Sequence, residues 1–165
     1  MYYMAGFLNS FILPLINESQ ITLFSQFNNL SAIKFWDKMS FEKINAVWLT
    51  PTMIEMITLL DRGKIGEEYC KKNDIKIFSA TAPLFNKTRN NFREKYGKDV
   101  INTYGLSETL FISSCVSEGY KNGSVGKPID NVQVKVNHNF KSSKELGLEE
   151  ELLVETEFLS LDISK

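Results

Sequence analysis

Apolar residues recur along this chain in short runs that switch between a helical spacing and a strand spacing. The run 5–15 is apolar enough for a buried helix and ends near Pro14 and Asn17, where proline breaks the pattern. Residues 21–24 predict a short buried strand, and Asn28 and Asn29 mark a loop. A helix follows over 31–39, with Ile33, Phe35, Trp36 and Met39 as apolar positions, and a further helical turn at 41–44. Ala46–Leu49 predicts a strand. Pro51 then opens a helix that runs to Leu60, since the first turn tolerates proline. Met53, Ile54, Met56, Ile57, Leu59 and Leu60 would bury most of its circumference.

Residues 62–74 are polar and carry two glycines, which predicts a surface connection with one helical turn at 67–72. A strand is expected at 75–80. Asn86–Tyr96 reads as an amphipathic helix, with Phe92 and Tyr96 as core residues and Gly97 as its C-terminal cap. Another strand is expected at 100–103. After Cys115 the character changes. Gly119, Gly123 and Gly126 punctuate a loop, 132–136 alternates as a half-exposed strand does, and Glu151–Thr156 looks like its partner across the polar stretch 137–150. The expected fold class is therefore α/β: a largely parallel sheet with helices on both faces, followed by the start of a small β-rich subdomain. The corresponding division is 1–115 and 116–165.

Composition narrows the function. A chain of 165 residues is the size of one domain, and a net charge of −1 offers no basic stripe for nucleic acid. Cys70 and Cys115 lie far apart and His138 is the one histidine, so neither a zinc site nor a histidine-based triad can be assembled. Two lone cysteines suit a reducing, cytoplasmic setting. The apolar amino end lacks a basic leader, is interrupted by Asn9 and Ser10, and falls short of the ~20 apolar residues a transmembrane segment needs. It opens in a core-type helix with no cap, and 159–165 stops without an obvious finish. Both features suggest that flanking sequence is missing.

The chemistry concentrates in Asn-Thr-Tyr-Gly-Leu-Ser-Glu-Thr, residues 102–109, at the end of a strand where open α/β sheets bind ligands. Tyr104 offers a ring to stack on a base, and Gly105 lets a ligand approach the backbone. Ser107 can donate to a phosphate, and Glu108 can help hold a hard divalent cation. The alternative is a strand end followed by a helix N-cap at Ser107.

Several segments, taken in order, resemble the central part of the adenylate-forming superfamily, which includes acyl-CoA synthetases, luciferases and adenylation domains of peptide synthetases. Residues 2–9 resemble the stretch written Phe-His-x-x-Gly. Phe35 and Trp36, followed by Val47 to Thr52, resemble the helix and strand that lead to the carboxylate pocket. Ser79 to Leu84 resembles Ser-Gly-Gly-Ala-Pro-Leu, residues 104–109 match Tyr-Gly-x-[Ser/Thr]-Glu-[Thr], and 123–128 match Gly-Ser-Val-Gly-x-Pro.

The resemblance implies roles. Tyr104 would stack on adenine, Asn102 would face its exocyclic amine, and Ala82 and Pro83 would line the base pocket with backbone. Ser107 would contact the α-phosphate, and Glu108 would ligate the Mg2+ of ATP. Tyr3 stands where many relatives carry a histidine that gates the acyl pocket. Trp48, Thr52 and Leu106 would wall the acid, beside Met53, Ile54, Met56 and Ile57. Ala80 and Thr81 replace the family's glycine pair, and the β-branched Thr81 narrows the space there. The implied reaction is activation of a carboxylic acid by Mg-ATP and transfer to CoA, with a fatty or aryl acid favoured. The alternatives are an adenylation domain loading a carrier-protein thiol and a non-catalytic remnant of the fold. The family's phosphate loop belongs before Met1 and its ribose-binding aspartate, arginine and adenylation lysine after Lys165, so the 165 residues alone are expected to be inactive.

Overall fold

The computed structural model describes residues 4–116, 119–121, 123–137 and 151–156. Tyr3 and His138 lie outside them. The helical elements are α1 (Met4–Phe7), a wide π turn (Leu8–Ile12), α2 (Leu13–Ile16), α3 (Asn29–Ile33), α4 (Phe35–Phe41), α5 (Pro51–Leu60), α6 (Ile65–Lys72) and α7 (Asn86–Tyr96). The strands are β1 (Ala46–Leu49), β2 (Lys76–Ser79), β3 (Val100–Leu106), β4 (Leu110–Ser114), β5 (Lys127–Pro128), β6 (Val132–Asn137) and β7 (Glu151–Thr156). Strands β1 to β5 form one sheet in sequence order, with β1, β2 and β3 parallel and β4 and β5 added antiparallel. A separate antiparallel pair, β6 and β7, follows. The α/β fold with flanking helices and a small β unit is thus present, and its sheet is mixed.

Local chemistry explains the element ends. Thr50 caps α5 by accepting from the Met53 N–H at 3.3 Å, and Asn28 caps α3 through Ser31 N–H at 2.9 Å. Helix α7 closes at Gly97, at φ 67°. Lys95 then binds the C-terminal end of α5, donating to the Thr58 carbonyl at 2.6 Å and to the Asp61 carbonyl. Strand alternation sends Leu49, Ile77 and Val100 into one core with Trp36, Met39, Ile54, Ile57, Phe92 and Tyr96 from the helices.

Four expectations need correction. The helix near the amino end spans Met4 to Ile16 but is not buried: Phe7, Phe11, Leu15 and Ile16 are exposed and only Asn9 is buried. Within it Phe7 stacks on Phe11 at 5.7 Å. Residues 21–24 form no strand and pair with none of the described strands; Leu23 is exposed and Lys38 lies over the Phe24 ring. The stretch 31–39 is broken at Lys34 into α3 and α4. Within 62–74, α6 is a full helix that buries Gly66 and Cys70, with Gly66 against the Trp36 ring so closely that a Cβ would lie 2.5 Å from it.

Candidate functional site

Parallel pairing sets three strand ends side by side. Leu49 lies beside Ser79, and Ser79 beside Asn102. The segments that leave those positions, 50–52, 80–83 and 103–106, emerge along one edge of the sheet, the edge at which open α/β sheets take ligands. The Thr103 hydroxyl donates to the Ser79 carbonyl at 3.0 Å and holds two of the segments together.

Asn102 is buried. Its Nδ2 donates to the Ser124 carbonyl at 3.2 Å, and its own carbonyl accepts from the Cys115 N–H at 2.9 Å. Ser113 donates its hydroxyl to the Val125 carbonyl at 2.9 Å. The Gly-Ser-Val-Gly segment is therefore strapped to β3 and β4, and at Gly126 a Cβ would stand 2.0 Å from the Ser114 carbonyl oxygen. Gly105 is under the same demand, since its Cβ would stand 2.0 Å from the Leu110 oxygen.

The 102–109 motif differs from a strand end that turns into a helix. Strand β3 continues to Leu106, residues 107–109 make a tight turn, and β4 returns antiparallel from Leu110, at φ 57°. Ser107 is thus no helix cap. Ser107 and Glu108 are exposed at the hairpin tip, Tyr104 is half-buried, and Leu106 is 48% exposed. Thr109 is buried, and its hydroxyl has no partner.

On the neighbouring segment Ala80 is half-buried, while Thr81, Ala82 and Pro83 are exposed and Leu84 anchors them in the core. Thr81 sits at φ 75°, a region that β-branched residues rarely enter. Thr52 is exposed on the first turn of α5. Trp48 is half-buried and stacks on Phe78, with centroids 4.5 Å apart and planes at 17°, and on Phe111 at 5.6 Å and 29°. Ile54 and Ile57, expected beside the acid, instead lie fully buried in the helical core, with Met53 and Met56 packed against it. An α-helix can turn only one face toward the sheet edge, and here the core claims it. Phe78 and Phe111 stand beside Trp48. Alternation with Ile77 is a usable signal for Phe78; Phe111 has none, because the stretch around it carries no hairpin signature.

Among the described residues no group of three His, Cys, Asp or Glu side chains could hold a metal. Glu108 is a single exposed carboxylate next to the Ser107 hydroxyl. That donor set fits a magnesium ion held mainly by phosphate oxygens and water. Both cysteines are buried thiols: burial pushes Cys70 up to about 11 against the opposing charge of Lys98, and burial raises Cys115 as well.

Comparisons with known proteins fit this arrangement. A search of curated proteins gives no match. Among solved structures, ATP-bound MatB from Rhodopseudomonas palustris superposes with a TM-score of 0.75 at 20% identity, covering 96% of this chain and 30% of that one. The anthranilate CoA ligase AuaEII, in complex with anthranoyl-AMP, gives 0.73 at 19%, covering 93% and 29%. A benzoate CoA ligase from Burkholderia xenovorans LB400 gives 0.73 at 15%, covering 93% and 31%. The chain thus spans about 30% of the length of the structures it matches, and likeness at these identities speaks for the fold. Residues 1–158 match the family described as AMP-binding enzyme, and the chain belongs to that family.

Proposed function

We propose that these residues form the acid- and nucleotide-facing centre of an AMP-forming acid-thiol ligase. The observation that carries the reading is the parallel register that sets Ser79 beside Asn102, so that 80–83 and 103–106 leave from adjoining positions, with Glu108 on the turn that follows, in a chain of the AMP-binding enzyme family. Tyr104 stacks on adenine, Ala82 and Pro83 line the base with backbone, and Asn102, whose Nδ2 is already engaged, offers its Oδ1 to the adenine amine. Gly105 permits close approach. Ser107 donates to the α-phosphate. Glu108 would hold Mg2+, which would offset phosphate charge. Tyr3, Trp48, Thr52, Ala80, Thr81 and Leu106 bound the acid.

In the reaction, a carboxylate oxygen forms a bond to the α-phosphorus of ATP and the bond to pyrophosphate breaks, leaving an acyl-adenylate. A thiolate, that of CoA, then attacks the acyl carbon and AMP leaves. The residues here contribute position and preorganised donors, which is where such chemistry gains its rate. The same reading keeps 1–115 as the catalytic α/β unit and 116–165 as the β-rich unit. It also places the protein in the cytoplasm, in keeping with the two free buried cysteines; no helix among the described residues is long and apolar enough to cross a membrane. The 165 residues contain no loop rich in Ser, Thr and Gly for the phosphates, so alone they give no ATP-pyrophosphate exchange. Exchange assays on this chain and on the full-length protein, with a panel of carboxylic acids, test the reading. Acid-dependent exchange by the full-length protein supports it, and exchange by neither contradicts it.

A further inference from the structure

Leu49, Ile77 and Val100 face the helical core, so Trp48, Phe78 and Ile101, the alternate positions, face the other way. Simple alternation along β4 from Ser114, which pairs with Thr103, would turn Phe111 toward the opposite face from Trp48. A register shift between Tyr104 and Gly105 reverses that, so Phe111 pairs with Gly105 and joins the aromatic face. Bulges of this kind re-aim side chains beside active sites. Trp48 and Phe78 lie in one row of the sheet and Phe111 two rows nearer the ligand edge, yet the Trp48 ring touches both. Thr103, which alternation puts on the same face between Ile101 and Gly105, is a small side chain. The stack therefore closes over the sheet surface directly behind the three strand ends.

We propose that this three-ring stack, placed by the bulge at Phe111, sets the size of the acid: it admits a compact carboxylate, short-chain or single-ring aryl, and stops a long alkyl chain. The inference rests on the reading above, because it takes the strand-end edge as the place where the carboxylate reacts. A long tail would have to break both ring contacts of Trp48 at once to run along the sheet. A single flat ring need only stack against the outer edge of the existing group, in the offset geometry aromatic pairs prefer.

The test uses equilibrium binding to the 165-residue chain, so it stands apart from adenylation. Trp48 emission is titrated with benzoate and with decanoate, and Trp48→Phe, which leaves the core residue Trp36, supplies the background. Wild type is expected to bind benzoate at least tenfold more tightly than decanoate, and Phe111→Ala to shift that ratio at least tenfold toward decanoate. Near-UV circular dichroism checks that the variant is folded. Phe111→Leu, which keeps apolar bulk but loses the ring, is expected to shift the ratio in the same direction by a smaller factor. Decanoate binding as tightly as benzoate, a ratio unmoved in both variants, or binding of neither acid would overturn the proposal. Failure of the adenylation reading would show separately, as absence of pyrophosphate exchange in the full-length protein whatever the binding result.

Discussion

The Asn102 side chain donates to the Ser124 carbonyl at 3.2 Å, which ties the strand carrying Tyr104 to the Gly-Ser-Val-Gly segment. Asn102 is buried and Ser124 half-buried, so the bond is missed when it is broken. Asn102→Ala is expected to lower stability by about 1–2 kcal/mol in urea unfolding, and to weaken ATP binding by the full-length protein roughly tenfold as the adenine acceptor is lost. Unchanged ATP affinity would remove Asn102 from the base pocket.

Thr81 holds a left-handed backbone at φ 75° without the freedom of glycine. Such conformations cost about 1–3 kcal/mol and persist where surrounding structure imposes them. Thr81→Gly is expected to relieve the strain and raise stability by about 1 kcal/mol, after allowing for glycine's extra entropy in the unfolded chain. In the full-length protein it should also widen tolerance for α-branched acids. Loss of stability on this change would mean that the Thr81 side chain makes a contact worth more than the strain.

Glu108 sits on a hairpin turn, so no helix dipole depends on it. Glu108→Gln should change the melting behaviour of the chain by no more than about 0.5 kcal/mol, the usual range for an exposed substitution. In the full-length protein it should reduce adenylation by about 100-fold, the scale of losing one preorganised electrostatic contact. Equal losses of stability and activity would point to a structural role instead.

Arg89 is buried and grips Asp99 with two bonds of 2.7 Å, Nε to Oδ1 and Nη2 to Oδ2, and Nη2 also donates to the Tyr120 hydroxyl. Burial acts to raise the Asp99 carboxyl, but the Arg89 bonds and charge outweigh it and hold the group below its ordinary value. A lowered folded pKa means that the contribution is fully present above about pH 4 and is lost as pH falls through the folded value. Asp99→Asn is expected to cost about 1–2 kcal/mol at pH 7, discounted because the Asp99 side chain is 39% exposed, and to flatten the acid limb of a stability-pH curve. A variant with an unchanged acid limb would show that other carboxylates govern it.

The elements legible in the sequence are those whose punctuation is physical. Pro51 fixes a helical φ and Gly97 admits the left-handed one, and the helices they bound have the ends that the residue pattern predicts. The pattern understates α6 because its buried residues are Gly66 and Cys70, and apolar periodicity does not count a glycine that fits against a tryptophan ring. Residues 21–24 carry strand-like composition, but a strand needs a neighbour, and pairing is a property of the fold. The proposed site residues Asn102, Tyr104, Ala82 and Pro83 can be singled out from sequence because they fall within two short segments. Phe111 is not, since its place beside Trp48 depends on a register shift in a hairpin whose turn, Ser-Glu-Thr, lacks the glycine or asparagine that usually marks one.

If these residues serve an AMP-forming ligase, the acid must be found on AMP before any thiol is added. The most direct measurement incubates the full-length protein with Mg-ATP and a compact carboxylic acid such as benzoate, without thiol, and identifies the products by mass spectrometry. Equal amounts of acyl-adenylate and pyrophosphate are expected, falling about 100-fold in Glu108→Gln. Formation of ADP and phosphate, or no acid-dependent turnover of ATP with any carboxylate tried, would contradict it.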